Sequence, residues 1–262
     1  MTRAVRVLLL AGLGVGVIAC RDKQPENLAP VASALASAAP VSEKSLSFGV
    51  ETSSSLVRFL MEAPIEKISG EAPGSVDGQL FVDSADLAKS NGLVRVDLEK
   101  LSIFQQKRED EKGTFDEKKK NELQNKHART WLEISEDTPE DVRKANRFVE
   151  FRIARLEQPS APSLAALSGA ERKLTATAVG DFRLHGRKNE KRVKVELSFT
   201  YAGDKPQSLK VKTLEPLAIG LEEYDVRPRE AFGKLAQKTL DALGSKVAKT
   251  APIEVEFSAR LK

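Results

Sequence analysis

V193-K-V-E-L-S-F-T200 places an apolar side chain at every second position, with lysine, glutamate, serine and threonine in between. Successive side chains of a β-strand point to opposite faces, so this stretch predicts a strand with one buried and one solvated face. The same alternation recurs at 94–99, 149–153 and 253–261, and weaker strands are predicted at 55–61, 78–82, 174–184 and 209–219. About eight such strands in one domain predict a mostly-β fold whose antiparallel sheet forms a barrel or a sandwich.

Two segments break the alternation and predict accessory helices. Between 116 and 134 the sequence is charged, and Leu123, His127 and Trp131 recur at intervals of four residues. Between 228 and 243 a proline stands at the start, an apolar stripe follows, and Gly244 provides a stop signal. We therefore expect one or two helices beside the strands of a single domain that spans residues 44–262.

The N-terminus has the pattern of a bacterial export signal with a lipid attachment site. Arg3 and Arg6 precede an apolar run from 7 to 18, which is too short to span a bilayer. V17-I-A-C20 then resembles a lipobox, in which cleavage before the cysteine frees it for acylation. We predict a signal peptide at 1–19 and membrane anchoring through acylated Cys20, since two or more acyl chains anchor a protein stably. An incidental cysteine near an ordinary cleavage site is the alternative.

The residues after Cys20 predict a tether in the bacterial envelope. Residues 20–43 are rich in alanine, proline and serine and contain no aromatic residue, a composition that does not favour an ordered structure. Such a segment would hold the folded domain clear of the lipid headgroups. Arg21 occupies a position at which aspartate retains some lipoproteins in the inner membrane, so the outer membrane is favoured.

Composition argues against several classes of function. Loss of Arg3 and Arg6 with the leader lowers the formal charge from +4 to +2, which does not indicate a nucleic-acid surface. With a single cysteine there is no intrachain disulfide, and the two histidines, His127 and His185, stand in no metal-ligand pattern. Phosphate-binding loops and nucleophile elbows are missing, so we expect neither an enzyme nor a metal site.

Three stretches resemble the YceI-like family. V179-G-D-F-R-L-H-G186, followed by a basic turn and the alternating strand at 193–200, is similar to the family's signature hairpin. Residues 92–103 resemble an earlier strand of the family, and residues 125–134 its aromatic-acidic segment. The resemblance covers nearly all of residues 44–262. It departs at T52-S-S-S55, where the family often has a histidine, and in a longer charged insertion at 104–127.

This resemblance implies an elongated lipocalin-like antiparallel barrel whose apolar lumen binds a polyprenyl chain or an isoprenoid quinone. No other cofactor is expected. By strand parity the lumen-facing residues would be Phe59, Val96, Leu98, Phe151, Phe182, Val195, Leu197, Phe199 and Phe257, with Trp131 closing one end. Affinity for such a ligand would come from buried apolar area. The partners would then be the membrane and an isoprenoid lipid.

Several alternatives remain open at this stage. The basic hairpin from Arg183 to Lys194 is typical of a solvated turn, but it would also suit anionic headgroups or a diphosphate. His185 would lie at the hairpin edge or touch a ligand, and His127 on a helix face or at the barrel mouth. The competing function is a non-enzymatic envelope protein with a solidly packed barrel, which binds an unknown protein through the 104–127 insertion or the 228–243 helix.

Overall fold

The computed structural model describes residues 28–227 and 249–262. Within these ranges the chain forms a sheet of twelve strands and two α-helices. The strands are β1 (Ser45–Ala63), β2 (Glu66–Pro73), β3 (Val76–Asp83), β4 (Asn91–Asp97), β5 (Ser102–Lys107), β6 (Lys119–Lys120), β7 (Phe148–Glu157), β8 (Glu171–Leu184), β9 (Arg187–Ala202), β10 (Lys205–Thr213), β11 (Leu217–Gly220) and β12 (Thr250–Leu261). The helices are α1 (Glu122–Trp131) and α2 (Glu140–Asn146).

Eight of the strands close into an antiparallel barrel. Neighbouring strands follow the order β1, β3, β4, β7, β8, β9, β10 and β12, and β12 then pairs with β1. The pairing of β12 with β1 that closes the barrel aligns Phe48 with Leu261 and Phe59 with Ile253. This pairing therefore extends along most of both strands. The predicted antiparallel barrel of about eight strands with one or two accessory helices is therefore confirmed, and the sandwich is excluded.

The long first strand serves two parts of the wall. Its first part pairs with β3, and after a bulge near Ser55 its second part pairs with β2. The hydroxyl of Ser55 donates to the carbonyl of Thr52 (2.7 Å) and accepts from the amide of Val76 (3.1 Å). A serine therefore stabilises the bulge in the region where the family often has histidine. Beyond it, β2 pairs with β5, and β5 pairs with β6.

The helical predictions are met in part. Only Glu122–Trp131 of the predicted 116–134 segment is an α-helix, because Lys119 and Lys120 pair with β5 as β6. The seven-residue α2 has no apolar stripe and was not expected from the sequence. Residues 209–219 form two strands, β10 and β11, instead of one. The helix predicted at 228–243 lies outside the described residues.

The two ends of the barrel differ. One end is formed by the β3–β4 and β7–β8 connections, where Leu87 and Leu164 are buried, and we call it the packed end. Near this end the rings of Phe48 and Phe199 meet edge to face at 5.9 Å and fill the interior. The opposite end is formed by α1, the β8–β9 turn and the 3-10 helix at Glu222–Tyr224, and we call it the cavity end.

An N-terminal arm, residues 28–44, lies along the outside of the barrel. It begins at the cavity end, where Ala29 is buried and its amide donates to the carbonyl of Glu223 (2.8 Å). The Leu35 amide donates to a carboxylate oxygen of Glu150 (2.8 Å), and Ser42 donates to Asp83 (2.5 Å) near the packed end. The prediction of an unordered tether therefore fails for residues 28–43, because side chains far along the sequence bind the arm's backbone. Residues 1–27, including Cys20, lie outside the described residues.

Candidate ligand cavity

A cavity of about 300 Å³ lies inside the barrel. Its volume is at the lower end of the roughly 300–1,000 Å³ that small-molecule sites occupy. The lining extends from Val82, Ser90 and Asn91, at the β3–β4 connection, to Leu184 and Val226 at the cavity end. Phe48 and Phe199, which pack against each other near the packed end, do not belong to the lining.

The lining is apolar along its whole length. Four polar residues contribute to it, Ser90, Asn91, Gln124 and Thr213, and no described lining residue carries a charge. Burying an unpaired charge in such surroundings is costly, whereas burying a hydrocarbon is favourable. The cavity therefore suits an uncharged apolar chain and disfavours an anionic group inside the barrel.

Strand alternation produces this lining. On β9, Val193, Val195 and Leu197 are buried and line the cavity, while Lys194 between them is exposed. On β12, Ala251, Ile253, Val255 and Phe257 line it in the same way. The period of two that is visible in the sequence is therefore the direct cause of an apolar interior.

Nine of the ten predicted lumen residues line the cavity. They are Phe59, Val96, Leu98, Trp131, Phe151, Phe182, Val195, Leu197 and Phe257. Phe199 is the exception: its side chain is fully buried, but it packs on Phe48 at the packed end and lies outside the lining. Strand parity indicates which residues point inward, but it carries no information about where along the axis the interior is filled. Contact of these nine residues with a ligand stays a prediction.

Helix α1 supplies part of the cavity wall. Gln124, Ala128 and Trp131 line the cavity from one face of this helix. Asn125 fixes the helix to β5, because its side-chain amide accepts from the Ile103 amide (2.9 Å) and donates to the Ile103 carbonyl (2.9 Å). Asn125 is buried, and the bonds to it satisfy both backbone groups of a lining residue.

Sequence reasoning missed a second set of lining residues. They come from β2, from β5 and the connection before it, and from the segment around β11: Ile68, Leu101, Ile103, Leu217, Ile219, Leu221 and Val226. Strand β2 gave no clear alternation, and the 221–226 segment contains a 3-10 turn that has no period of two. Signals were present at Leu217 and Ile219, within the weak strand predicted at 209–219, and at Leu101 and Ile103, within the stretch that resembles a family strand, but they did not identify these residues as lumen-facing.

His185 joins three elements at the cavity end without lining the cavity. Its Nε2 lies 2.7 Å from Oε2 of Glu133, which follows α1, and its Nδ1 lies 3.0 Å from the carbonyl oxygen of Tyr224. The residue is buried and has a positive φ of 51° in the β8–β9 turn. It therefore stabilises the junction of helix, hairpin and 3-10 turn. His127 instead stacks on Trp131, with ring centroids 5.9 Å apart.

The basic hairpin has acidic partners within the protein. The pairs are Arg183–Glu150, Lys188–Asp181, Lys191–Glu223, Arg192–Glu157 and Lys194–Glu215. Burial alone would raise the pKa of Glu223, but hydrogen bonds from Lys191 and Asn189 outweigh burial and hold that pKa below its usual value. Arg187 donates instead to the Ala29 carbonyl (2.9 Å). Because the basic side chains of the hairpin have partners within the protein, the solvated turn is favoured over a site for a diphosphate or an anionic headgroup.

Two further kinds of site are not found in the part of the chain that the structure describes. Residues 28–227 and 249–262 contain no group of three or more histidine, cysteine or acidic side chains placed to hold a metal ion. In the same ranges no helix has the length and apolar character that crossing a membrane requires.

The fold and the cavity define a class, a closed antiparallel barrel with an apolar interior, and a solved structure shares this fold. The structure of a polyisoprenoid binding domain from Saccharophagus degradans, implicated in plant cell wall breakdown, matches with a TM-score of 0.51 and 13% sequence identity. The match covers 83% of this chain and 99% of that chain. The fold that the resemblance implied, a lipocalin-like antiparallel barrel, is therefore confirmed.

BcnA from Burkholderia cenocepacia is also similar, with a TM-score of 0.41, 14% identity, and coverage of 81% of this chain and 99% of that one. Comparison of the sequence with models of protein families and with curated proteins gives no match. The likeness is therefore one of three-dimensional structure, at low sequence identity.

Proposed function

We propose that this protein is an envelope lipoprotein that binds an isoprenoid, or a similar long apolar lipid, in the barrel lumen and acts as a carrier or buffer. The cavity of about 300 Å³ with an uncharged, largely apolar lining is the observation that carries the proposal. The shared fold with a polyisoprenoid binding domain supports it. The lipobox-like V17-I-A-C20 supports anchoring through acylated Cys20, with the outer membrane favoured.

The physical basis of binding would be burial of hydrocarbon. Each Å² of apolar surface removed from water contributes roughly 25 cal/mol, before the costs of immobilising a flexible chain are subtracted. A phosphate or diphosphate head would stay outside the lumen, since the lining offers no countercharge. The preferred ligand therefore has a long apolar tail, with any charged head near the cavity end.

The proposed role is non-enzymatic. No titratable side chain belongs to the described lining, so a bound lipid would meet no candidate acid, base or nucleophile there. The partners proposed are a lipid ligand and the membrane that holds the anchor, without nucleic acid.

The test is mass spectrometry of lipids that co-purify with the full chain from a bacterial envelope. A stoichiometric isoprenoid is expected in the wild type. Val195→Trp should reduce the retained lipid several-fold by filling the lumen, while Lys194→Trp on the outer face of the same strand should retain it. A folded protein that is lipid-free, or equal retention in both variants, would overturn the carrier role. Recovery of a specific protein partner would then favour the alternative, an envelope interaction protein.

A further inference from the structure

The docked arm determines where the anchor leaves the barrel. The Ala29 amide binds the Glu223 carbonyl, and the Arg187 guanidinium donates to the Ala29 carbonyl (2.9 Å). The Ala32 amide donates to the Gly186 carbonyl (2.8 Å), and the buried Arg183 donates to the Ala32 carbonyl (3.1 Å). The backbone from 29 to 32 is thus fixed at the cavity end, beside the β8–β9 turn.

The chain between the anchor and this point is short. Seven residues, 21–27, separate Cys20 from Leu28. Eight Cα–Cα steps span at most about 29 Å when fully extended, whatever their conformation. Strand β8 alone has 14 residues and is about 45 Å long at roughly 3.3 Å per residue. An anchored barrel therefore cannot present both of its ends to the membrane equally.

Exposed apolar side chains are concentrated at the cavity end. Six large apolar residues are exposed in the described part of the chain: Val31, Val41, Leu60, Ile65, Leu123 and Leu214. Only Val41 lies toward the packed end. Val31 lies in the arm beside the β8–β9 turn, Ile65 in the β1–β2 turn and Leu123 on α1. These three residues are 81%, 52% and 61% exposed, respectively. Apolar side chains exposed at this end would gain free energy by leaving water for an apolar surface such as a bilayer.

We propose that the cavity end rests on the bilayer that holds the acyl anchor of the same chain, so that the lumen stands next to its lipid source. The proposal rests on the proposed function, in that it requires acylation of Cys20. The contact is apolar, because Lys188, Lys191 and Lys194 of the nearby hairpin pair with acidic neighbours and Arg187 binds the Ala29 carbonyl. The short linker and the docked arm provide the orientation.

The experiment compares two lysine-to-cysteine variants of the acylated full chain. Cys20 is the only native cysteine, so an added thiol is the single one open to a fluorophore once Cys20 is acylated. Lys126→Cys places the label on α1 at the cavity end, and Lys89→Cys places it at the packed end. Both residues lie on the surface, Lys89 with 64% of its side chain exposed, so the fold should be retained.

The probe is a vesicle of phosphatidylethanolamine and phosphatidylglycerol that contains a headgroup-spin-labelled lipid as quencher. We expect several-fold stronger quenching at position 126 than at 89. Insertion of about twenty Gly and Ser residues between 27 and 28 lengthens the reach and should reduce that difference several-fold. Equal quenching at both sites would overturn the orientation while leaving lipid binding intact. A difference that the insertion leaves unchanged would overturn the role of the short linker in setting the orientation.

Mass analysis of the N-terminal peptide separates a failure of the orientation from a failure of the acyl anchor. An acylated Cys20 with equal quenching refutes only the orientation. A Cys20 without acyl chains refutes the anchor of the proposed function and, with it, the orientation. Lipid co-purification, measured on the same preparations, reports independently on the lumen.

Discussion

At the scale of single residues, small side chains make room for the groups that line the lumen. Gly70 on β2 pairs with Phe59 on β1, and an added Cβ at Gly70 would lie 2.1 Å from a carbon of the Phe59 ring. The ring of a lining residue therefore lies flat over the glycine, in the space where any other residue would place its side chain. An aromatic ring that covers a glycine across a strand pair is a known device of β-sheets.

Gly70→Ala is expected to displace the Phe59 ring and to lower the free energy of unfolding by about 1–3 kcal/mol, as overpacking commonly does. Urea unfolding measures this change, and co-purified lipid reports on the lumen. Gly113→Ala serves as the control, because the nearest atom to an added Cβ there is 3.5 Å away. A loss of stability that is equal in both variants would contradict the account of the Phe59 ring.

The ion pair of Asp97 and Arg147 makes stability depend on pH. Arg147 donates two hydrogen bonds to the Asp97 carboxylate, at 3.1 and 2.7 Å. Burial of Asp97 would raise its pKa, but hydrogen bonding and the charge of Arg147 outweigh burial and lower it. A carboxyl group whose pKa is lowered in the native state contributes stability above its unfolded pKa of about 4 and loses it as the pH falls through the native value.

Arg147→Gln is therefore expected to cost about 1 kcal/mol at neutral pH, the size of a partly exposed ion pair, and much less below about pH 3. Urea unfolding of wild type and variant at both pH values gives the difference. Lys144→Gln is the control, since Lys144 and its partner Glu140 on α2 are both mostly exposed. A cost of Arg147→Gln that stays constant with pH would show that Asp97 does not act through its charge.

At the scale of elements, tertiary contacts decide where α1 begins and what it covers. A helix is predicted over 116–134 from the spacing of Leu123, His127 and Trp131, and it begins only at Glu122, where the Asn121 side chain accepts from the Gln124 amide (3.0 Å). The residues before it join β5 instead. Local periodicity therefore predicted the helix, whereas pairing with a distant strand set its limits.

Asn125→Ala is expected to loosen α1 from β5 and to cost about 1–3 kcal/mol, because the buried backbone amide of Ile103 would lose its acceptor, whereas the Ile103 carbonyl would keep the Asn121 amide (3.0 Å). Hydrogen exchange should quicken in α1 and β5 ahead of the remaining strands. Lys126→Ala, at the exposed next position of α1, should change neither quantity measurably. Exchange that rises evenly over the barrel would argue against a local role for Asn125.

At the scale of the whole molecule, stability and binding reside in different parts of the barrel. Phe199 is fully buried at the packed end, while Trp131 lines the cavity at the other end. Phe199→Ala is expected to lower the free energy of unfolding by about 3–5 kcal/mol through a new cavity. Trp131→Ala should cost less stability and lose more co-purified lipid. Thermal unfolding and lipid mass spectrometry of both variants check this separation, and the opposite ranking would contradict it.

The sequence by itself determined the class of fold and the inward-facing residues, and the tertiary structure decided how the barrel is filled and closed. Alternation such as that at 193–200 is a property of the extended backbone, so eight residues of the cavity lining could be named from strand parity. The end that is packed, the place of α1 and the docking of the arm depend on contacts between distant residues. Leu35 and Glu150, 115 positions apart, are one example. Such contacts leave no periodic signal, because they are formed only when the closed barrel brings the two segments together.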